Sequence, residues 1–326
     1  MESSVLICGT GRSGTNITKK LLSVHNKVMV LPFEYRFIID PDGIVDFYNS
    51  FSTTWTPFHA DIKIKRLEEY LLSLSKVGKS KHLLSKLLRH IDKSGKKITP
   101  PKYGGWELDK WFPNYSNLVK ELIDDLREFS YKGCWPGAKP FVRNYKLDFA
   151  PSYNRSQLKE ILSRFIYNCF SSFLKQNNKT VFADDNTWSL LFASELLELI
   201  PKSKIIHIVR DPRDVISSFM QQRWTPADGK QSLRFYSEII NKWLQIRKQL
   251  PPNLFIEIRL EDMVSDTKYS VHKICNFIGI DFEEKMLSVK LDKANTGRWK
   301  GDLSLQMKTD IKKELSHVLK EYNYEI

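Results

Sequence analysis

The stretch LICGTGRSGTN, from Leu6 to Asn16, decides the fold. From Val5 to Cys8 the chain is a short apolar run ending in glycines, the pattern of a strand buried on both faces of a parallel sheet. A helix is predicted to follow from Gly14 to His25, with Ile17, Leu21, Leu22 and Val24 as its apolar side. Strand, glycine-rich turn and helix start together make an anion site, because the first N–H groups of a helix are unpaired and carry about half a positive charge in sum. Gly9, Gly11 and Gly14 let the backbone turn sharply and come close to an anion. Arg12 adds a permanent charge with bidentate geometry, and Ser13, Thr15 and Asn16 add donors. A plain glycine-rich βα turn is the bland alternative. Arginine, serine and threonine inside the turn favour anion binding.

Outward from this turn, Val28–Leu31 reads as a second strand. The α/β text resumes near Ser156, where Leu158, Ile161, Leu162, Phe165, Ile166 and Cys169 recur at helical spacing. Thr180–Ala183 is a strand, and Trp188–Ile200 a helix ended by Pro201. Ile205–Val209 is a strand followed by a helix from Asp211, and Ser232–Leu250 is a long helix ended by two prolines. Phe255–Ile258 is a strand, and Lys268–Ile278 a helix closed by Gly279. Strands alternating with helices imply an α/β fold with a parallel sheet and helices on both faces.

Residues 37–150 read differently. Trp55, Trp106, Trp111 and Trp135 fall here, and Lys76 to Lys102 is a basic tract in which Leu83, Leu84, Leu87, Leu88 and Ile91 predict an amphipathic helix. The segment is taken as a mainly helical insertion over the active face. On that reading residues 1–326 form one domain, with 1–36 and 151–326 as a nucleotide-binding core and 37–150 as an acceptor-binding insertion.

The chain has 326 residues and 41% hydrophobic content, enough for a sizeable core. Lys and Arg number 51 against 38 Asp and Glu, a formal net charge of +13. That surplus favours anionic partners: nucleic acid, anionic lipid, a charged glycan or a multiply charged nucleotide. The basic residues are spread along the chain without a recognised nucleic-acid module, so no nucleic acid is expected as partner. Four cysteines, Cys8, Cys134, Cys169 and Cys275, stand far apart, which suits neither zinc nor a disulfide scaffold. They read as reduced thiols in a cytoplasmic setting. Met1–Ser4 is too short for a signal peptide, and no apolar run is long enough to span a bilayer.

Gly9 and Gly14 are spaced like the outer glycines of a nucleoside-triphosphate P-loop, which continues with Lys and then Ser or Thr. Those two places here hold Thr15 and Asn16. The sheet is thus P-loop-like, without the lysine that reaches terminal phosphates. A second loop, IIHIVRDPRDVISSFM from Ile205 to Met220, supplies another cation. Asp211 caps the following helix, Pro212 fits its first position, and Asp214 sits where a capping box wants an acid. Arg210 therefore projects from the carboxyl end of a strand, where ligands bind in open parallel sheets. Arg210 and Arg213 can alternatively pair with Asp211 and Asp214, a reading that suits Arg213 better than Arg210. Two separated anion sites suit a ligand with phosphates at two ends.

At this point the residues resemble the sulfotransferases that use 3′-phosphoadenosine 5′-phosphosulfate. GTGRSGTN is similar to that family's 5′-phosphosulfate loop, and VRDPRDVISS to its 3′-phosphate motif, with Arg210 and Ser218 eight residues apart. ANTGRWKGDLS, from Ala294 to Ser304, resembles the late segment that closes over the nucleotide. The likeness covers about 5–36 and 182–303 in the right order; Asn16 departs from it, since the family usually has Thr there. The resemblance implies a donor held by Gly11, Arg12, Ser13, Gly14, Thr15, Asn16, Arg210, Ser218, Thr296, Gly297, Arg298 and Trp299, with the 3′,5′-bisphosphate (PAP) as product and no metal. Arg12 would also act in catalysis by stabilising charge on the leaving oxygen.

PFEYRF places Glu34 and Arg36 just after the second strand. This resembles the Glu-x-Arg of tyrosylprotein and some bacterial sulfotransferases, where the glutamate is the base. His59 and Asp185 remain open as bases, and Asp184 or Asn186 as helix caps. Trp299 reads as an adenine platform or as core, and Lys300 as a nucleotide contact or a solvated lysine. The expected acceptor is a small molecule or a carbohydrate; the tryptophans of YGGWELDKWFP fit sugar stacking and a hydrophobic core equally. An ATP-dependent P-loop kinase or NTPase is the alternative, and a nucleic-acid-binding protein a more distant one.

Overall fold

The computed structural model describes residues 1–75, 106–136, 146–200, 202–291 and 294–325. The basic tract 76–102, with its expected amphipathic helix, and Pro201 lie outside the described residues.

The chain divides into two compact units, Met1–Glu34 with Asn177–Ile326, and Tyr35–Gln176. The first is built on five strands: β1 (Ser3–Gly9), β2 (Val28–Val30), β5 (Val181–Asp185), β6 (Ser203–Val209) and β7 (Phe255–Arg259). They form one sheet in the order β2-β5-β1-β6-β7, and every neighbouring pair is parallel. β1 lies at the centre because it is apolar on both faces; Val5, Leu6, Ile7 and Cys8 are all buried. Val5 and Ile7 join Val181, Ala183, Ile206 and Ile208 in one core, closed by Leu21 and Leu22 of the helix Thr15–Ser23 and by Val271, Ile274 and Ile278 of the helix Thr267–Ile278.

This order positions the site. From β1 the chain moves to the β2 edge; from β5 it crosses over β1 to β6 and continues to β7. The winding reverses between β1 and β6, so the crevice of an open α/β sheet opens outside their carboxyl ends. The Gly-rich turn leaves β1 there, and Arg210 leaves β6 there. The molecule has the expected α/β architecture, a P-loop-like parallel sheet flanked by helices.

The second unit is mainly helical. Its helices Ile44–Thr53, Pro57–Ser73, Tyr115–Leu126 and Arg155–Gln176 accompany an antiparallel pair, β3 (Phe129–Lys132) and β4 (Lys146–Phe149). Phe37, Phe112, Tyr115, Phe165 and Phe170 are buried together, with Phe37 5.2 Å from Tyr35 and 6.1 Å from Phe112 between ring centroids. The helix Arg155–Gln176, which the sequence reading groups with the α/β core, thus belongs to this unit, because its aromatic face packs on residues of the insertion.

Candidate functional site

The turn after β1 adopts a conformation that its sequence was chosen to permit. Gly11, Arg12 and Gly14 have φ of 88°, 56° and 105°. Gly14 is the cap of the helix Thr15–Ser23, and a Cβ there would lie 2.7 Å from Leu260 Cδ1. A Cβ at Gly9 would lie 2.1 Å from Ser13 Oγ. None of the backbone N–H groups from Gly11 to Asn16 donates to a described residue. Ser13 Oγ is buried, without a partner among the described residues. Unpaired donors around a turn with no room for a side chain at Gly9 or Gly14 are the features an anion requires. Among the described residues no group of three or more His, Cys, Asp or Glu could hold a metal ion.

Three loops meet here. Arg12 Nε donates to Ser218 Oγ at 3.0 Å. Arg210 Nη1 donates to the Arg12 carbonyl at 3.0 Å, and Nη2 to the Asn295 carbonyl at 2.7 Å. Arg210 Nε is buried, with no partner among the described residues. Asp214, wholly buried, accepts from the N–H of Gly297 at 2.7 Å and of Trp299 at 2.9 Å, and lies 3.5 Å from Arg210 Nη2. Arg12 reaches solvent, yet partial desolvation, then the charges of Arg210 and Arg298, push its pKa below the ordinary value. The charges of Arg12, Arg210 and Arg298 repel one another; Asp214 beside Arg210 and Asp302 beside Arg298 offset part of this, and a bound anion would offset more.

Several expectations are sharpened. Asp211 caps the helix Pro212–Phe219, accepting from Arg213 N at 2.9 Å, but no capping box forms. The acid at 214 turns instead to the late segment, while the Asp211 N–H donates to Glu261 Oε1 at 3.0 Å. Arg213 is taken up by Asp211, Nη2 to Oδ2 at 2.7 Å, and its guanidinium lies 4.0 Å over the Trp299 ring. One face of Trp299 is therefore already covered. Arg298 donates to Asp302 at 2.7 Å and to Gln221 at 2.8 Å. Thr15 is buried, whereas Asn16, Thr296 and Lys300 are exposed.

The candidate bases lie in different places. Glu34, exposed, follows β2 and ends the first unit. Arg36 opens the second unit with Tyr35 and pairs with Asp40 at 3.6 Å. His59 lies in the second unit, in the first turn of Pro57–Ser73 and 6.0 Å from the Phe51 ring; desolvation and then Lys63 lower its pKa. Asp185 ends β5, buried, and pairs with Lys19 at 3.1 Å. Asn186 caps the next turn, accepting from Trp188 N at 3.2 Å.

Sequence reasoning missed Lys19 and the second role of Asp214. Lys19 follows Thr15 by four residues, on the helix face that carries the buried Thr15, Thr18 and Leu22. A lysine on a buried stripe was the available signal.

Comparison with known proteins follows the same line. The model of the Sulfotransferase family matches residues 106–284, more than half of the chain. The omega-hydroxy-beta-dihydromenaquinone-9 sulfotransferase of Mycobacterium tuberculosis is 24% identical over 273 residues, 73% of this chain and 69% of that protein. The 3-beta-hydroxysteroid sulfotransferase of Cavia porcellus is 29% identical over 135 residues, 32% of this chain and 46% of that protein. A solved sulfotransferase domain from the curacin biosynthetic pathway aligns over 100% of this chain and 99% of that one, with 14% identity and a TM-score of 0.49.

Proposed function

The chain belongs to the sulfotransferase family, and from that premise we propose that it transfers a sulfuryl group from 3′-phosphoadenosine 5′-phosphosulfate to an acceptor hydroxyl, with Glu34 as base. The observation that carries the reading is the convergence of Arg12, Arg210 and Ser218 from two loops, with the late segment 295–299 fixed beside them by Asp214. That arrangement suits an anion charged at two ends. The unpaired N–H groups from Gly11 to Asn16, with Ser13, hold the 5′ end; Arg210 and Ser218 hold the 3′-phosphate.

The donor brings a sulfuryl group on an activated phosphate. The acceptor oxygen bonds to sulfur as the bond from sulfur to the bridging oxygen breaks, and 3′,5′-bisphosphate departs. Arg12 and the turn N–H groups stabilise charge growing on that bridging oxygen. Glu34 takes the acceptor's proton. Thr15, in the position where an ATP-binding loop has lysine, speaks against the kinase reading.

We assign acceptor choice to the unit Tyr35–Gln176 and expect a small molecule or carbohydrate. The relatives named for a hydroxylated menaquinone and a hydroxysteroid support a small-molecule hydroxyl. Among the described residues no helix is long and apolar enough to cross a membrane. All four cysteines are free thiols, which supports a reducing, cytoplasmic setting.

Titration calorimetry tests the donor assignment. Adenosine 3′,5′-bisphosphate should bind without metal and far more tightly than AMP. Binding of Mg·ATP in place of the bisphosphate would overturn the reading. Glu34→Gln should lower turnover by about 100-fold or more while bisphosphate affinity stays as in the wild type; full turnover removes Glu34 from the role.

A further inference from the structure

The turn after β1 lacks a lysine at position 15, yet a lysine ammonium stands at the same end of the sheet. Lys19 lies one helical turn beyond Thr15. Side chains on a helix lean toward its N-terminus, so Lys19 runs back toward the glycine-rich turn. Its Nζ is 3.1 Å from Asp185 Oδ2, with the two side chains 10% and 1% exposed. Asp185 is the last residue of β5 and pairs in register with Ile7, two residues before Gly9 on β1. Ion pair and anion turn thus share one corner of the sheet.

The pair is poorly supported as a structural device. A buried ion pair offsets its desolvation only with good geometry and further hydrogen bonds. Beyond the Lys19 ammonium at 3.1 Å, neither carboxylate oxygen of Asp185 has a hydrogen-bond partner among the described residues. Ser13 Oγ, buried in the turn that leaves this end of the sheet, also has no hydrogen-bond partner among the described residues. A buried cation, an under-bonded anion holding it and an orphan hydroxyl beside unpaired N–H groups describe a site prepared for another anion.

We propose that Lys19 contacts the donor, giving its 5′-phosphosulfate end the ammonium that position 15 does not supply, and that Asp185 is a positioning residue that holds Lys19 in reach. This rests on the sulfotransferase reading above. Lys19 then adds to Arg12 a second cation for charge on the bridging oxygen, delivered from within the helix rather than from its first turn.

The test separates the two ends of the nucleotide. Adenosine 3′,5′-bisphosphate and adenosine 3′-monophosphate are titrated into the wild type, Lys19→Met, Lys19→Arg and the double variant Lys19→Met/Asp185→Asn. The double variant removes both charges and keeps the test available where the single change leaves Asp185 buried alone and the protein fails to fold. Loss of a charge-assisted contact should weaken the bisphosphate by about 10- to 100-fold. The 3′-monophosphate, which has no 5′ group to contact, should bind the variants as it binds the wild type. Lys19→Arg should restore most of the bisphosphate affinity. A structural role predicts that both ligands weaken together or neither does, and either result overturns the inference. If the wild type binds no bisphosphate, the donor assignment itself falls and this inference with it.

Discussion

Arg12 holds φ at 56°, in the left-handed region that disfavours a side chain. Its N–H donates to no described residue, and its carbonyl receives Arg210 at 3.0 Å. Its guanidinium meanwhile bridges to Ser218. Backbone and side chain of one residue thus connect both anion loops. Glycine at this position would relieve strain worth about 1 kcal/mol and lose a similar amount to unfolded-state entropy. Arg12→Gly should therefore leave folding stability within about 1 kcal/mol of the wild type while weakening bisphosphate binding by about tenfold or more. Thermal unfolding and calorimetric titration on the same sample check both halves. Unchanged affinity would remove Arg12 from the donor site.

At the scale of elements, the helix Pro212–Phe219 and the late segment act together through Asp214. A buried carboxylate beside Arg210 can accept two N–H groups; an asparagine in its place offers one oxygen and turns a donor toward the other N–H. Asp214→Asn should speed hydrogen exchange across residues 294–303 and weaken the bisphosphate, because the segment closing on Arg210 is no longer held. Exchange protection equal to the wild type would mean that the segment is fixed by other contacts. This element also shows where reading from sequence stops. Asp211, Pro212 and the strand before them are local signals, and the cap and helix start were legible from them. The partners of Asp214 and of the Asp211 N–H are Gly297, Trp299 and Glu261, all far along the chain. Local spacing identifies an acid in the first turn, not which distant N–H groups it will meet. Lys19 was passed over for a related reason: its place on the buried stripe is local, but its partner Asp185 comes from β5, far along the chain.

For the whole molecule, the alternation of strands and helices exposed the α/β unit, because buried parallel strands are written as continuous apolar runs. The second unit was less legible. Its core gathers Phe37, Phe112, Tyr115, Phe165 and Phe170 from separate segments, so no single stretch shows the period of its packing. Within the first unit, Glu257 of β7 is a joint of long range. It accepts from Trp243 Nε1 at 2.9 Å, Arg247 Nη1 at 2.6 Å and Tyr322 OH at 2.8 Å, and meets His207 Nδ1 of the neighbouring strand at 2.9 Å. Burial works to raise its pKa, but the hydrogen bond and charge of His207, then Trp243 and Arg247, prevail and hold it at about 2 against an ordinary 4.5. A carboxyl depressed in the folded state contributes stability that is complete above its unfolded value and disappears as pH falls through the folded one. The difference corresponds to about 3 kcal/mol, present at neutral pH and lost between about pH 4.5 and 2. Glu257→Gln should lower stability at pH 7 and flatten its slope across that window. Denaturant unfolding at stepped pH reads both, and a variant with the wild-type slope would show that other carboxylates govern the acid transition.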